Sequence, residues 1–362
     1  VIKICPECGA SNRINEKGEK DRFYCGSCRK PLFRRQRLSC FLAFLTLLWV
    51  VFPASILLLR ALGPEFFWFG SLNLYAPQWI YALPGVIIVP AYLFFARRYL
   101  WFPVAILALI FGPLMGLVVS FPKDNPSKPH LRVMTYNIKW AERGSDKIVA
   151  EIVRENPDLI QFQDAGDALR HDDIKQVLSK YHVRSAGQYI VASKFPIVSF
   201  DPLNFPVTKN YFRPVRTVID FGGRQIAIYD AHLLSPREGL VAVKREDLTL
   251  SLENASIRMS QATTLMSAIS QEKLPHILTG DMNAPLGSVV CDTLMQDSYR
   301  DSFAESGRGY GYTYGRFTKV KTPYVRIDHI FFSPDWRAAK CWTGGIEGSD
   351  HVPVYADLWL NR

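Results

Sequence analysis

The sequence predicts an α/β fold in which two packed β sheets are flanked by helices. That domain is carried behind three membrane-spanning helices and a small cysteine-bound module. Three observations carry the prediction. Residues 38–121 are nearly all apolar or aromatic, whereas the chain from 123 onward has the mixed polarity of a soluble domain. Ahead of the apolar block stand two CxxC pairs, Cys5-Pro-Glu-Cys8 and Cys25-Gly-Ser-Cys28. Behind it, short apolar runs alternate with helix-like and loop stretches, the order expected of a β sandwich with helices outside.

The cysteines come first in the chain. Two CxxC knuckles at this spacing place four thiolates tetrahedrally about Zn(II), and the metal supplies folding energy that so short a polar segment cannot obtain from a core. Two disulfides or a redox pair are the rival reading, disfavoured by the spacing. The segment is similar to a zinc ribbon, a structural or interaction module to which no catalysis is assigned, and no residue specifies its cytosolic partner. Cys40 lies in the first apolar run, and the isolated Cys291 and Cys341 read as packing residues. No N-terminal secretory signal is read, because the first apolar run lies behind the cysteines.

Ser39–Leu59, Ala76–Ala96 and Leu100–Phe121 are each long enough to cross a bilayer, which takes about 20 apolar residues per helix. Pro84 and Pro90 predict a kink in the second. Five Lys/Arg lie between residues 29 and 37, and Arg97-Arg98 forms the turn between spans two and three; the first connection holds only Arg60 and Glu65. The positive-inside tendency therefore puts the N-terminus in the cytoplasm and everything after Phe121 outside. Pro122–Pro129 reads as a short stiff linker.

From residue 131 on, Leu131–Tyr136, Asp158–Phe162, Tyr189–Ala192, Val215–Asp220, Gln225–Ala231, His276–Thr279, Ile327–Ser333 and Val354–Leu358 read as strands. Lys147–Glu155 and roughly Arg245–Ser270 read as helices. Charge narrows the function. Residues 1–122 carry 13 Lys/Arg against 5 Asp/Glu, and residues 123–362 carry 30 against 28. A duplex-gripping protein concentrates cationic surface on its working domain, so near neutrality here disfavours nucleic acid as partner.

Six segments bring polar groups to the ends of apolar runs: Thr135-Tyr-Asn137-Ile, Gln161-Phe-Gln-Asp164, Ala231-His232-Leu, Gly280-Asp281-Met-Asn283, Arg326-Ile-Asp328-His329 and Gly348-Ser-Asp350-His351. In this order they resemble the endonuclease/exonuclease/phosphatase superfamily, across residues 131–359. The resemblance implies the deoxyribonuclease I-like four-layered α/β sandwich. Three spans ahead of such a domain also look like the bacterial membrane-anchored branch that includes the teicoplanin-resistance protein VanJ, which implies undecaprenyl pyrophosphate chemistry.

The residue types suit phosphate ester hydrolysis, which needs charged oxygens neutralised, a water oriented and a leaving oxygen stabilised. Asn137 and Asp164 are the expected ligands of Mg(II) or Mn(II), with Asp350 a further contributor. His351 is the expected base or phosphate-stabilising imidazole, oriented by Asp328. Asp281 aligns or deprotonates the attacking water, Asn283 holds a phosphoryl oxygen, and His232 donates to the phosphate or leaving oxygen. Asp164 departs from the family's usual glutamate and is shorter by one methylene. Arg326 and Tyr314 are candidates for substrate binding, a salt bridge and aromatic packing being the alternatives. His329, next to Asp328 on a strand, is expected to face the other way as a packed histidine. Three functions stay open: hydrolysis of a membrane lipid or lipid-linked phosphate at the outer face, an outward-facing nuclease, and a membrane scaffold without activity.

Overall fold

The computed structural model describes residues 1–5, 8–14, 23–30, 34–121, 124–205, 213–296, 298–315, 322–345 and 347–361. Pro6 and Glu7 of the first knuckle, and Pro122 and Lys123 at the start of the linker, lie outside them. In chain order the first elements are β1 (Ile2–Ile4), β2 (Ser11–Arg13), α1 (Arg34–Ala61), α2 (Trp68–Leu74), α3 (Gly85–Phe95) and α4 (Trp101–Leu109). The chain divides into two compact units, Val1–Leu57 with Gln78–Met115, and Leu58–Pro77 with Gly116–Arg362.

In the first unit β1 pairs antiparallel with β2; Gly9 N–H donates to Cys5 O and Arg29 N–H to Cys25 O. Three helical stretches, Ser39–Ala61, Gln78–Phe95 and Arg97–Leu114, are long and apolar enough to cross a membrane. Trp49, Ile56, Ile88, Tyr92, Ile106 and Ile110 pack together among them. The outward faces are apolar as well, with Phe44, Ile87 and Phe94 more than half exposed, as lipid-facing helices require. Pro84 sits at the N-cap of α3, so the second stretch is a 3-10 turn, Gln78–Ala82, followed by a new helix. The third run, expected to stay helical to Phe121, leaves helix after Leu114. Pro113 interrupts the backbone ladder there and Gly116 turns the chain at φ 74°.

The second unit is a four-layered α/β sandwich. It begins with the connection holding α2 and continues through β3 (Val118–Val119), β4 (His130–Asn137), α5 (Ser145–Glu155), β5 (Leu159–Gln163), α6 (Asp172–Leu178), β6 (His182–Ala186), β7 (Tyr189–Ser193), β8 (Ile197–Pro202), β9 (Val215–Phe221) and β10 (Arg224–His232). There follow α7 (Arg237–Lys244), α8 (Leu248–Ile269), β11 (His276–Asp281), α9 (Val289–Leu294), β12 (Arg300–Asp301), α10 (Ser302–Ser306), β13 (Arg308–Gly309), β14 (Asp328–Phe332), β15 (Trp336–Thr343) and β16 (Val354–Leu360). One sheet runs β15-β16-β4-β5-β7-β6 and the other β12-β14-β11-β10-β9-β8. The single helix expected from Arg245 is the second of two, because Glu246 takes φ 62° and the Asp247 carboxylate caps α8 by accepting from Leu250 N–H.

Strand alternation explains the layers. Leu131 and Val133 of β4, Leu159 of β5, Ile226 and Ile228 of β10 and Ile277 of β11 meet between the sheets. Their neighbours in sequence point the other way. Met134, Tyr136, Ile160 and Phe162 pack on α5 and α6, while Tyr229, Ala231 and Leu278 pack on α8 and α9. Burial on both faces makes these central strands read as continuous apolar runs. Toward one rim the inter-sheet positions turn polar: Thr135, Gln161, Gln163, Asp230 and Thr279 are fully buried and hydrogen-bonded, Gln163 Nε2 donating within its sheet to Thr135 Oγ1 at 3.0 Å and across to the other sheet to Asp230 Oδ1 at 2.7 Å, and Thr279 Oγ1 donating across to Gln161 Oε1.

Candidate active site

The candidate side chains stand on that polar rim, one step beyond the buried network. β4 and β5 run parallel, as do β10 and β11, so their carboxyl ends open on the same side. Asn137 ends β4, Asp164 follows β5, His232 ends β10 and Asp281 ends β11. The antiparallel β14 starts at the same rim, with Asp328 paired in register to Asp281. His351 lies just ahead of β16 and is bridged to Tyr314. Two parallel pairs and two strand starts thus bring together residues spread over more than two hundred positions of sequence.

Asp281, 1% exposed, is the centre of the group. Its Oδ1 accepts from Asn283 N–H at 2.9 Å. Its Oδ2 lies 3.1 Å from Asn137 Nδ2, 3.4 Å from His232 Nε2 and 3.6 Å from His351 Nε2. Burial raises its carboxyl pKa, and the two histidines oppose that rise. His351 Nδ1 lies 2.9 and 3.1 Å from the two oxygens of Asp328. Burial works against charge on this imidazole, but Asp328 and Asp281 outweigh it and lift the pKa to about 9. Asp164 takes a left-handed backbone, φ 47°, a conformation that aspartate tolerates better than glutamate. Its Oδ2 is 3.2 Å from Asn137 Nδ2 and its Oδ1 3.6 Å from His232 Nδ1. The Tyr314 ring, 37% exposed, lies 4.7 Å from that of His351 and walls the mouth.

Three expectations change in detail. Asp350 faces Lys139, whose Nζ is 2.7 Å from Oδ2, instead of joining Asp281 and Asp328. Burial pushes its carboxyl up, but the ammonium prevails and holds it below the usual range. Asp350 and His351, adjacent in the chain, thus take different partners. Arg326 does not reach for phosphate. It is 6% exposed and forks onto Asp301, Nη1 to Oδ1 at 3.0 Å and Nη2 to Oδ2 at 2.5 Å, with its guanidinium 5.1 Å over the Phe303 ring. Asn283 donates its side-chain amide to Leu233 O at 3.0 Å, so in this structure it braces the turn that carries Asp281. His329 is fully buried against Phe331, its Nε2 2.9 Å from Ala284 O; burial and Arg326 bring its pKa down to about 4.

The buried Arg326–Asp301 pair supports a prediction. Removing one partner strands the other charge, so Arg326→Ala is expected to destabilise the fold by about 3–5 kcal/mol. Burial raises the Asp301 carboxyl, yet Arg326 overcomes it and leaves the pKa depressed. The pair's contribution is therefore complete above pH ~4 and is lost as pH falls through the lowered value. Urea melts of the full chain at pH 7 and pH 3 check both statements; equal losses on mutation at the two pH values would contradict them.

Sequence reasoning missed the groups that hold the site from behind. Gln188, in the turn between β6 and β7, has Oε1 2.7 Å from His232 Nδ1, and Tyr189 Oη accepts from His232 N–H at 2.9 Å. Neither belongs to a motif. Lys139 and Trp140 directly follow the first motif, where Lys139, Trp140 and Ala141 take successive φ values of 47°, 54° and 59°. Only position flags them. A cavity of about 910 Å³ elsewhere in this unit is lined by none of these residues. Among its charges, Arg132 pairs with Asp357 at 2.7 Å and Lys194 with Asp158 at 3.0 Å.

In the other unit, the sulfurs of Cys5, Cys8, Cys25 and Cys28 lie within 4.8 Å of one another, Cys5 to Cys28 at 3.6 Å and Cys8 to Cys25 at 3.5 Å. Those separations are too long for disulfides, ~2.05 Å, and near the ~3.8 Å edge of a tetrahedron with ~2.3 Å metal–sulfur bonds.

The fold recurs in solved structures. A humanized D. rerio TDP2 carrying 14 mutations is 17% identical over 63% of this chain and 98% of its own, with a TM-score of 0.52. D. rerio TDP2 complexed with a single-strand DNA product is 18% identical over 63% and 98%, with a TM-score of 0.51. An endonuclease/exonuclease/phosphatase family protein from Bacteroides thetaiotaomicron is 17% identical over 65% and 99%, with a TM-score of 0.50. At such identities the likeness shows the fold alone. No curated protein matches the chain. Residues 134–351 match the Endonuclease/Exonuclease/phosphatase family, over a span that opens just before Asn137 and closes on His351. The chain belongs to the endonuclease/exonuclease/phosphatase family.

Proposed function

We propose that this protein is a membrane-anchored, divalent-metal-dependent phosphoesterase that hydrolyses the phosphate ester or pyrophosphate of a lipid-linked substrate at the outer face of the membrane. The observation that carries the chemistry is the convergence on one rim of the Asp328–His351 pair, Asp281, His232 and the Asn137–Asp164 pair. The donor set fits a hard cation such as Mg(II) or Mn(II). It offers a carboxylate oxygen of Asp164 and, with the amide turned over, Asn137 Oδ1. When bound, such an ion neutralises phosphoryl oxygens and stabilises the leaving oxygen.

The chain's own residues do the rest. Asp281 Oδ2 orients the attacking water and takes its proton, a task suited to a carboxyl whose pKa burial has raised. His351 is held as an imidazolium by Asp328 and presents Nε2–H to a phosphoryl oxygen. Gln188 accepts from His232 Nδ1, which leaves Nε2 turned to the reacting group. Asp164→Ala is expected to weaken Mn(II) binding by about 10- to 100-fold. Calorimetric titration of the detergent-purified chain measures it, and wild-type affinity would remove Asp164 from the ligand set.

The lipid-linked substrate is supported by the three apolar stretches and by the short path from Leu114 at the end of the third to His130 at the start of β4. The basic residues at 29–37 and Arg97-Arg98 favour a cytoplasmic N-terminus and an outer catalytic domain. The four thiolates then face a reducing compartment and hold Zn(II). Near-neutral domain charge favours a lipid over a nucleic acid. The resemblance to the VanJ branch points to polyprenyl pyrophosphate. Magnesium-dependent phosphate release from that substrate in detergent is the test. Release no greater than from an Asp281→Ala control rejects the substrate, and cleavage of plasmid DNA instead would favour the nuclease.

A further inference from the structure

The connection between the first and second apolar stretches packs as part of the sandwich unit, although more than fifty residues, including two further apolar stretches, separate it in sequence from β4. Its contacts are specific. Glu65, 2% exposed, accepts at Oε2 from the N–H of Val289 at the start of α9, at 3.0 Å. Tyr75 donates its hydroxyl to the backbone carbonyl of Asn283 at 2.8 Å. Arg258 of α8, 2% exposed, donates through Nη2 to that same carbonyl at 2.7 Å and to the Tyr75 oxygen at 2.7 Å. The three groups close a triangle directly behind the turn that carries Asp281.

That turn needs holding. Asn283 is in the left-handed region at φ 49°, a conformation confined to such single turn positions, and its N–H donates to Asp281 Oδ1. The held carbonyl and this N–H flank the same Cα, so a shift of Asn283 moves the carboxylate. The outward residues of the same connection, Phe66, Phe67 and Trp68, are each 45% exposed or more. One face of the segment is suited to the lipid interface while the other grips the catalytic turn.

We propose that this connection is a working part of the phosphoesterase site, in which Tyr75, seated on Arg258, is a positioning residue that fixes the Asn283 carbonyl and through it the Asp281 carboxylate. The anchor then does more than tether: the site is fully assembled only while the first connection is docked. In a chain that crosses three times, that connection and the sandwich lie on the same side of the membrane, as docking requires. The inference rests on the role given above to Asp281.

Tyr75→Phe in the full chain, purified in detergent, tests it, because the ring stays and only the hydroxyl goes. With bis-p-nitrophenyl phosphate and Mn(II) as probe, kcat is expected to fall by about 10- to 100-fold while KM and the Mn(II) affinity keep their wild-type values. A purely structural role would instead lower the melting temperature and leave kcat of the folded fraction intact. Hydrogen exchange gives a readout that needs no turnover: the amides of Met282–Ala284 exchange at least tenfold faster in Tyr75→Phe, with α5 unchanged. Wild-type chain that cleaves no phosphoester overturns the proposed function and leaves the exchange result to decide the role of Tyr75. Unchanged exchange in that turn, or a wild-type kcat in Tyr75→Phe, overturns this inference.

Discussion

Asp281→Asn is expected to lower metal-dependent phosphoester hydrolysis by about 10²- to 10⁴-fold, the range for loss of a positioned general base. The substitution keeps the side chain's volume, and an amide oxygen can still accept from Asn283 N–H at the Oδ1 position. What it removes is the charge at Oδ2, an atom that lies within 3.6 Å of Asn137, His232 and His351 together. Stability is expected to survive. Burial already disfavours the ionised carboxylate, so a neutral amide of the same shape costs the fold little. The full chain should therefore melt within about 4 °C of wild type in chelator, a shift that for a domain this size corresponds to roughly 1 kcal/mol. Steady-state phosphate release and thermal melting of the same preparation check both halves. Turnover within threefold of wild type would take Asp281 out of the chemistry.

The preceding residue is expected to give the largest loss of stability. Gly280 has φ 132°, and a Cβ there would stand 1.9 Å from the carbonyl oxygen of Ala231 and 2.9 Å from its carbonyl carbon. These are backbone atoms of the parallel neighbour, Ala231 being the registered partner of Gly280. Neither strand can retreat: β10 is flanked by β9 and β11 by β14. Gly280→Ala must therefore part the two central strands or twist Gly280 out of its conformation, at a cost of more than about 4 kcal/mol. Because His232 and Asp281 are the next residues on the two strands, any folded remainder loses the geometry between them as well. Urea unfolding and the yield of folded chain measure the effect. A midpoint near wild type would mean that the strands have room this register does not provide.

The central strands were legible because both of their faces are buried. A strand such as Leu159–Gln163, buried at every residue, shows as an apolar run whichever side each residue takes, and its glutamines fall toward the end that opens on the rim. Of the strands not foreseen, β6, β8, β12 and β15 are the four edges of the two large sheets. There one side lacks a neighbour and the burial alternates, as in His182–Ala186, so no continuous run marks them. The break between α7 and α8 depended on one local cap at Asp247 inside an otherwise helical pattern.

Site membership was legible for a related reason. Asn137, Asp164, His232, Asp281, Asp328 and His351 sit at strand ends, where a polar residue after an apolar run is itself a sign of position, and hydrophobic patterning alone determines where such runs stop. The sequence by itself thus determined the sandwich, the apolar stretches, the cysteine cluster and the kinds of group at the rim. Only the tertiary structure decided what each group faces. Lys139 claims Asp350, Asp301 claims Arg326, Leu233 claims the Asn283 amide, and Tyr75 reaches the turn that carries Asp281 from 208 positions away. Hydrophobic periodicity acts through neighbours along the chain, whereas a hydrogen bond or ion pair depends on atoms that register and packing bring within about 3 Å of each other, and no local pattern encodes that approach.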